Sequence, residues 1–457
     1  MKGTGPVRGR GRRLAGVLLC CGLLLTGCGG GGGRDGDGGE GDGRGGGPAR
    51  PAPGAAHHPP DPADLNGDGR ADAVLSDGHT AVVLWGADDG LDPRRTTRVE
   101  ATAQPLRADV DGDGFTDLVA TTGLAGKERT LLLRGGPRGL GRPQRLRTPP
   151  GFVPGAAGDF DGDGAVDLFD GGRGGRGDKG AAPGRAGGRL LRGPFSGLAP
   201  ASAHRLDLGQ HGYSSPSSVA AGDFDGDGRT DLVLGYAYDA QEDESAPGDL
   251  TPVRYERGGP DGPRRDRAAE ARLIRAAGSA EGGFAASAGD VDGDRAADLL
   301  VPGAGPDGRG RLTVLRGGPG GPGTGRPATR VLEGRQRYFG ATALAGRIDG
   351  DERPDLVLGT PDARRHDGLV TVTTAGGGRQ RLTALDDWMP GRPNKAHWNE
   401  FQPLALLDTD GDHHDDLLAL APRHDGGKGV YVLLRGTEDG LSTGHVRHFA
   451  PREIGLR

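Results

Sequence analysis

The chain has 457 residues, 93 of them glycine, with only 4% aromatic side chains and a formal net charge of −6. Three cysteines are too few for a disulfide scaffold, and the mild acidic balance gives no indication of a nucleic-acid partner. The roughly 400 residues that follow the N-terminal segment are many for one compact core, yet no linker divides them, which favours one repeated architecture over several unrelated domains.

Lys2, Arg8, Arg10, Arg12 and Arg13 make a cationic start, followed by an apolar run from Leu14 to Leu25. A bilayer-spanning helix needs roughly twenty apolar residues, so this shorter run reads as the core of an export signal. It ends in Leu25-Thr26-Gly27-Cys28, which resembles the lipobox of bacterial lipoproteins. The resemblance implies removal of residues 1–27, a lipid on Cys28 and display on the outer face of the cell membrane. Arg12-Arg13 fits twin-arginine export poorly. Cys20 and Cys21 leave with the signal, so the mature chain can form no internal disulfide. Residues 28–60, built from Gly, Asp, Arg, Ala and Pro, bury too little apolar surface to fold and read as a disordered tether.

From 61 to 457 a nine-residue acidic string recurs. It starts at Asp64, Asp109, Asp159, Asp223, Asp290, Arg347 and Asp408, and is spelled most fully as Asp109-Val110-Asp111-Gly112-Asp113-Gly114-Phe115-Thr116-Asp117. After each string comes a short apolar stretch, such as Ala73-Val74-Leu75 or Asp231-Leu232-Val233-Leu234. A second alternating run then ends in glycine: Val82 to Gly86, Leu131 to Gly135, Leu312 to Gly317, Val430 to Gly436. Gly-Leu pairs (Gly90-Leu91, Gly139-Leu140, Gly197-Leu198, Gly440-Leu441) and a last short strand (Thr97 to Glu100, Val446 to Phe449) close several units. Period-two alternation between glycine and proline punctuation predicts strands. No segment reads as a long amphipathic helix. Four short strands per unit and seven units predict an all-β, seven-bladed β-propeller.

These units resemble the FG-GAP (VCBS-type) repeats of the integrin α-chain head, over roughly Asp61 to Arg457. The Phe-Gly element survives at Phe339-Gly340 and, altered, at Gly283-Phe284 and Gly212-Tyr213. The Gly-Ala-Pro element is loose, at Gly303-Ala304-Gly305-Pro306 and Gly359-Thr360-Pro361.

In the loop from Asp109, the side chains of Asp109, Asp111, Asp113 and Asp117 and the backbone carbonyl of Phe115 are candidate ligands. Gly114 permits the sharp turn that lets them converge. Hard, charged oxygens at this spacing suit calcium rather than zinc. Corresponding sets are Asp64, Asn66, Asp68, Arg70 and Asp72; Asp159, Asp161, Asp163, Ala165 and Asp167; and Asp223, Asp225, Asp227, Arg229 and Asp231. Two more are Asp290, Asp292, Asp294, Ala296 and Asp298, and Asp408, Asp410, Asp412, His414 and Asp416. In each set the seventh-position residue offers its carbonyl. An EF-hand needs a bidentate glutamate at position twelve, where this chain has Leu75, Ala120 or Leu234. Dockerin, thrombospondin type 3 and RTX patterns differ in spacing or spelling.

The loops are unequal. Asn66 replaces one carboxylate in the first, while Arg295 and His413 stand at the turn position of the fifth and seventh. The sixth has Arg347 in place of the first ligand and Glu352 in place of the glycine, so its guanidinium is a candidate internal cation among Asp349, Asp351 and Asp355. Six calcium ions are expected. They would offset the acidity left after the five signal-peptide cations depart.

If the acidic loop joins the first two strands of a blade, it shares a face with the connection between strands three and four. The longer segments 171–188, 238–252 and 376–400 then lie on the opposite face, where binding loops are expected. Asp386 to Phe401 carries Trp388, Met389, His397 and Trp398, which suit either a binding surface or packing between blades six and seven. Glu400 beside His397, and His366 beside Asp367, lack a nucleophile or orienting partner in the sequence. The expectation is a monomeric, non-catalytic surface module that binds an extracellular protein or glycan. The alternative is a propeller hydrolase or lyase acting on extracellular polysaccharide.

Overall fold

The computed structural model describes residues 61–457, apart from 125–126, 173–186, 209–215, 237–250, 278–283, 306, 352, 361–362, 365–368, 375–376, 384–387, 395–397 and 400. The export signal, Cys28 and the tether lie outside the described residues, as do Glu352, His366, Asp367, His397 and Glu400.

Seven antiparallel sheets follow one another along the chain as the blades of a β-propeller. The second blade shows the pattern: Leu106–Ala108, Asp117–Thr122, Arg129–Leu133 and Gln144–Arg145 pair in sequence order. Blades three to seven repeat it with four strands each. The first shows three, Ala73–Ser76, Thr80–Leu84 and Thr96–Glu100, and the residues before Asp61 are outside those described. In blades two to seven the acidic string joins the first strand to the second, as the sequence predicts.

Several first strands are short and built from small residues, as in Ala156–Gly158 and Ser287–Gly289, so they can crowd together where the blades converge, whereas Gln402–Leu407 of the seventh blade is longer and leucine-rich. Most second strands are buried along their whole length, as in Asp117–Thr122 and Asp355–Thr360, because a neighbouring blade covers each face, while Asp298–Ala304 of the fifth blade runs out to exposed residues at its end. The apolar cores accordingly lie between blades. Val119 and Leu132 of the second blade pack with Leu168 and Leu191 of the third. Leu300 and Leu312 of the fifth meet Leu356 and Leu358 of the sixth. The ring closes in the same way, with Leu75, Val82 and Leu84 of the first blade against Leu418, Leu433 and Phe449 of the seventh.

Two elements differ from the sequence expectation. A three-turn helix, α1 (Arg267–Ala277), links blades four and five. Asp266 caps it, accepting hydrogen bonds from the N–H groups of Ala268 (2.9 Å) and Ala269 (3.0 Å). Its fully buried apolar residues are Ala269 and Leu273, with Ile274 and Ala276 packed beside them and Glu270 buried among them, a face too short in large apolar side chains to stand out in an alanine- and arginine-rich stretch. A small ladder also joins Ala363–Arg364 to Trp398–Asn399.

Within Asp386 to Phe401, the described side chains are part of the core. Met389 is 1% and Phe401 0% exposed, and Trp388 packs edge-on against Phe401 at 6.1 Å between ring centroids. This cluster lies between blades six and seven, so packing accounts for Trp388 and Met389. The side chain of Trp398 lies outside the described residues.

Candidate metal centres

Five of the seven acidic strings fold on themselves by the same set of hydrogen bonds. In the second blade Asp109 Oδ1 accepts from the N–H of Gly112 (2.8 Å) and Asp113 (3.1 Å), and Oδ2 from that of Gly114 (2.9 Å). Asp113 accepts from the N–H of Phe115 (3.0 Å). Loops one, three, four and seven repeat these bonds around Asp64, Asp159, Asp223 and Asp408. The turn needs a left-handed residue at position six. Arg295 and His413 are held there at φ 76° and 68°, a strain of roughly 1 kcal/mol each that glycine avoids elsewhere.

The ninth-position aspartates are fully buried. Asp117 Oδ2 accepts the N–H of Val110 (3.0 Å), and Oδ1 accepts that of Gly135 at the end of strand three (2.9 Å). Asp72, Asp167, Asp231 and Asp298 make the same pair of bonds to their own loop and glycine. Burial pushes the carboxyls of Asp72, Asp117, Asp167, Asp231, Asp298 and Asp416 up to about 7. A carboxyl with a raised folded-state pKa holds its proton more tightly folded than unfolded. Without a cation, stability therefore falls as pH rises from about 4 towards 7.

Five loops bring three carboxylates to one point among the described residues. They are Asp109, Asp111 and Asp117; Asp159, Asp161 and Asp167; Asp223, Asp225 and Asp231; Asp290, Asp292 and Asp294; and Asp408, Asp410 and Asp412, with oxygens within 4.8 Å of one another in each. The Oδ1 atoms of Asp111, Asp292 and Asp410 are enclosed and have no hydrogen-bond partner. An enclosed, unpaired carboxylate oxygen facing others is unfavourable unless a cation joins them, so these residues fit a hard metal ion. The first loop, with Asn66, and the sixth, with Arg347, are outside this set of five. Arg347 is exposed rather than enclosed among Asp349, Asp351 and Asp355, and its N–H donates to Asp415 of the seventh blade (2.6 Å).

The loops also join blade to blade, a role not evident from the acidic spelling. The N–H before or at the loop's end reaches back to the preceding loop's first residue: Thr230 to Asp159 (2.7 Å), Ala297 to Asp223 (2.7 Å), Asp415 to Arg347 (2.8 Å), and Ala71 to Asp408 (2.7 Å) across the ring closure. A second bond runs to the residue after it, from Gly136 to Leu65 (3.0 Å), Gly259 to Phe160 (3.0 Å) and Gly318 to Phe224 (2.9 Å).

Residues 109–169 match the model of the FG-GAP-like repeat, and residues 215–248 that of the FG-GAP repeat. Over 192 residues the chain is 30% identical to integrin alpha-PS2 of Drosophila melanogaster, an alignment covering 37% of this chain and 14% of that protein. The chain carries FG-GAP repeats and its propeller is integrin-like, though it spans a small part of that relative's length. Exotype rhamnogalacturonan lyase YesX is similar at 15% identity, with 83% of this chain and 64% of that chain covered and a TM-score of 0.27. A puromycin hydrolase S511A mutant complexed with PGG follows at 16% identity, 86% and 56% coverage and a TM-score of 0.23. Superpositions this loose carry no argument.

Glycine at the end of strand three is dictated by the joint. A Cβ on Gly135 would lie 2.2 Å from the Thr116 carbonyl oxygen and 2.6 Å from that of Leu65 in the preceding blade. Gly135→Ala is expected to destabilise the fold by about 2 kcal/mol or more, since backbone on both sides must move. Denaturant unfolding measures it, and a loss within error of zero would show that the joint is loose.

Proposed function

We propose that this chain is an exported, lipid-anchored propeller whose blades are braced by calcium, and that it acts as a surface binding module for a protein or glycan. The observation that carries the calcium reading is the recurrence of enclosed, unpartnered carboxylate oxygens at Asp111, Asp292 and Asp410 inside converging triads. Each ion would be held by the carboxylates of positions one, three, five and nine and the seventh-position carbonyl. Bound calcium supplies positive charge that these oxygens share. The protein's own contribution is to fix those oxygens by the backbone bonds described above. The binding reading is supported by the division of labour between faces. The acidic loops and their joints share one face, and by strand parity the longer connections expected from the sequence would leave from the other.

Ions that bind only the folded chain stabilise it by linkage. EDTA should lower the melting temperature and calcium should restore it better than magnesium. Calcium uptake near pH 7 should release protons, because the ninth-position carboxyls sit at about 7 without the ion. Asp111→Ala should remove more of the calcium-dependent gain than Asp349→Ala, whose loop lacks the first-position carboxylate. Equal losses would make the sixth loop a working site, and a melt indifferent to both EDTA and calcium would remove the reading.

The anchor rests on Cys28. Cys28→Ala should move the protein from the membrane fraction to the soluble one; a variant that stays membrane-bound after signal cleavage would contradict it.

The binding role is tested by screening the calcium-loaded chain on arrays of extracellular glycans and peptides while assaying the same ligands for cleavage. Saturable binding without product is expected. Release of shortened or unsaturated sugars would instead establish the hydrolase or lyase reading.

A further inference from the structure

The residue before the strand-three glycine is Arg134, Arg192, Arg257, Arg316 or Arg435 in blades two, three, four, five and seven. Strand register makes these positions equivalent, because in each the preceding residue faces the one that follows the ninth-position aspartate: Leu133 with Leu118, Leu191 with Leu168, Leu434 with Leu417. Every one of these arginines is paired with the third-position aspartate of its own loop. Arg192 Nε lies 3.0 Å from Asp161, and Arg316 Nη1 2.6 Å from Asp292. Arg134 pairs with Asp111, Arg257 with Asp225 and Arg435 with Asp410.

By the same register, the equivalents in blades one and six are Trp85 and Thr374. Those are the two blades whose loops depart from the pattern. Asn66 stands at position three in the first, and Arg347 at position one in the sixth. Counted over positions one, three, five and nine and the residue before the strand-three glycine alone, four aspartates and one arginine leave three net negative charges; Arg70, Arg229, Arg295 and Asp415 lie in their loops outside that count. In the first blade three aspartates with neutral Asn66 and Trp85 leave the same three. The arginine and the third-position carboxylate are thus present together or absent together in the first loop and in the five triads.

The pairing also divides the aspartate's two oxygens. The guanidinium holds Oδ2 of Asp111, Asp292 and Asp410, while Oδ1 is left enclosed and unpartnered beside the other carboxylates. The Asp410 side chain is 1% exposed, so solvent does not satisfy that oxygen. A group that hydrogen-bonds a metal ligand without touching the metal orients that ligand and tunes the charge that the metal meets.

We propose that these five arginines are standing counter-ions of the acidic loops. Each fixes one oxygen of the third-position aspartate, leaves the other facing the loop carboxylates (unpartnered at Asp111, Asp292 and Asp410, accepting a backbone N–H at Asp161 and Asp225), and keeps the loop assembled when the ion is absent. The same positive charge opposes the incoming cation and lowers its affinity. This rests on the calcium reading above.

The test uses the full chain with Arg134→Met, Asp111→Asn, the double variant and Arg134→Lys, melted in EDTA and in saturating calcium and titrated with calcium by calorimetry. The double variant recreates the neutral pairing of the first blade. Arg134→Met should lower the EDTA melt by several degrees and the calcium melt by much less, and should tighten one site about three- to tenfold. Arg134→Lys should retain both melts, and the double variant should recover most of the EDTA loss. Equal losses with and without calcium, a weakened site, or a double variant that shows the sum of the single losses would overturn the proposal. A wild-type chain that takes up no calcium would instead remove the calcium reading, and the EDTA melts of the cycle would alone decide whether the arginine is a counter-ion.

Discussion

At the ninth position of five acidic loops (Asp72, Asp117, Asp167, Asp231 and Asp298) a buried carboxylate ties two pieces of backbone that are far apart in the chain. Asp231 is representative, accepting the N–H of Phe224 at 3.1 Å and that of Gly258 at 2.7 Å. It thereby fixes the loop to the end of strand three. With the loop so fixed, its outer carbonyls are presented to the next blade, which donates from Ala297 and Gly318. Removing such a group would leave two buried N–H groups unpaired, at about 1–3 kcal/mol each. The blade's internal geometry and its attachment to its neighbour are set by the same few atoms.

This arrangement explains how a chain so rich in glycine and poor in aromatics holds a large ring. The apolar cores are sheets of Leu and Val shared between adjacent blades, with no single centre. Each joint combines such a core with the loop-to-loop bonds beside it. The ring closure has the same composition, with Phe449 and Leu456 in the shared core and the N–H of Ala71 donating to Asp408. In the proposed calcium-loaded state, an ion at each triad would rigidify the segment from which both contacts issue, and stability would pass around the ring through joints rather than through a common interior.

Much of this was legible in the sequence because it repeats. The acidic spelling located the loops, and alternating Val and Leu located the second and third strands. First strands such as Ala156–Gly158 and Ser287–Gly289 do not read as apolar runs, since they use small residues to fit near the axis. Helix α1 does not stand out in the sequence because Leu273 and Ile274 are the only large apolar side chains it packs into the core. Trp388 and Met389 could not be assigned to surface or core from sequence, since their burial depends on a neighbouring blade. The Arg-Gly pairs recur in the sequence, but the role of their arginines is not legible there, because each partner aspartate lies across a hairpin, as Asp111 lies 23 residues before Arg134.

Amide hydrogen exchange at Thr230, Ala297 and Asp415, whose N–H groups cross from one blade to the next, tests most directly whether the loops hold the ring. Strong protection in calcium, lost together at all three on chelation, is the expected result. Protection unchanged by chelation, with the loop glycines themselves exchanging freely in both states, would contradict a ring joined through its acidic loops.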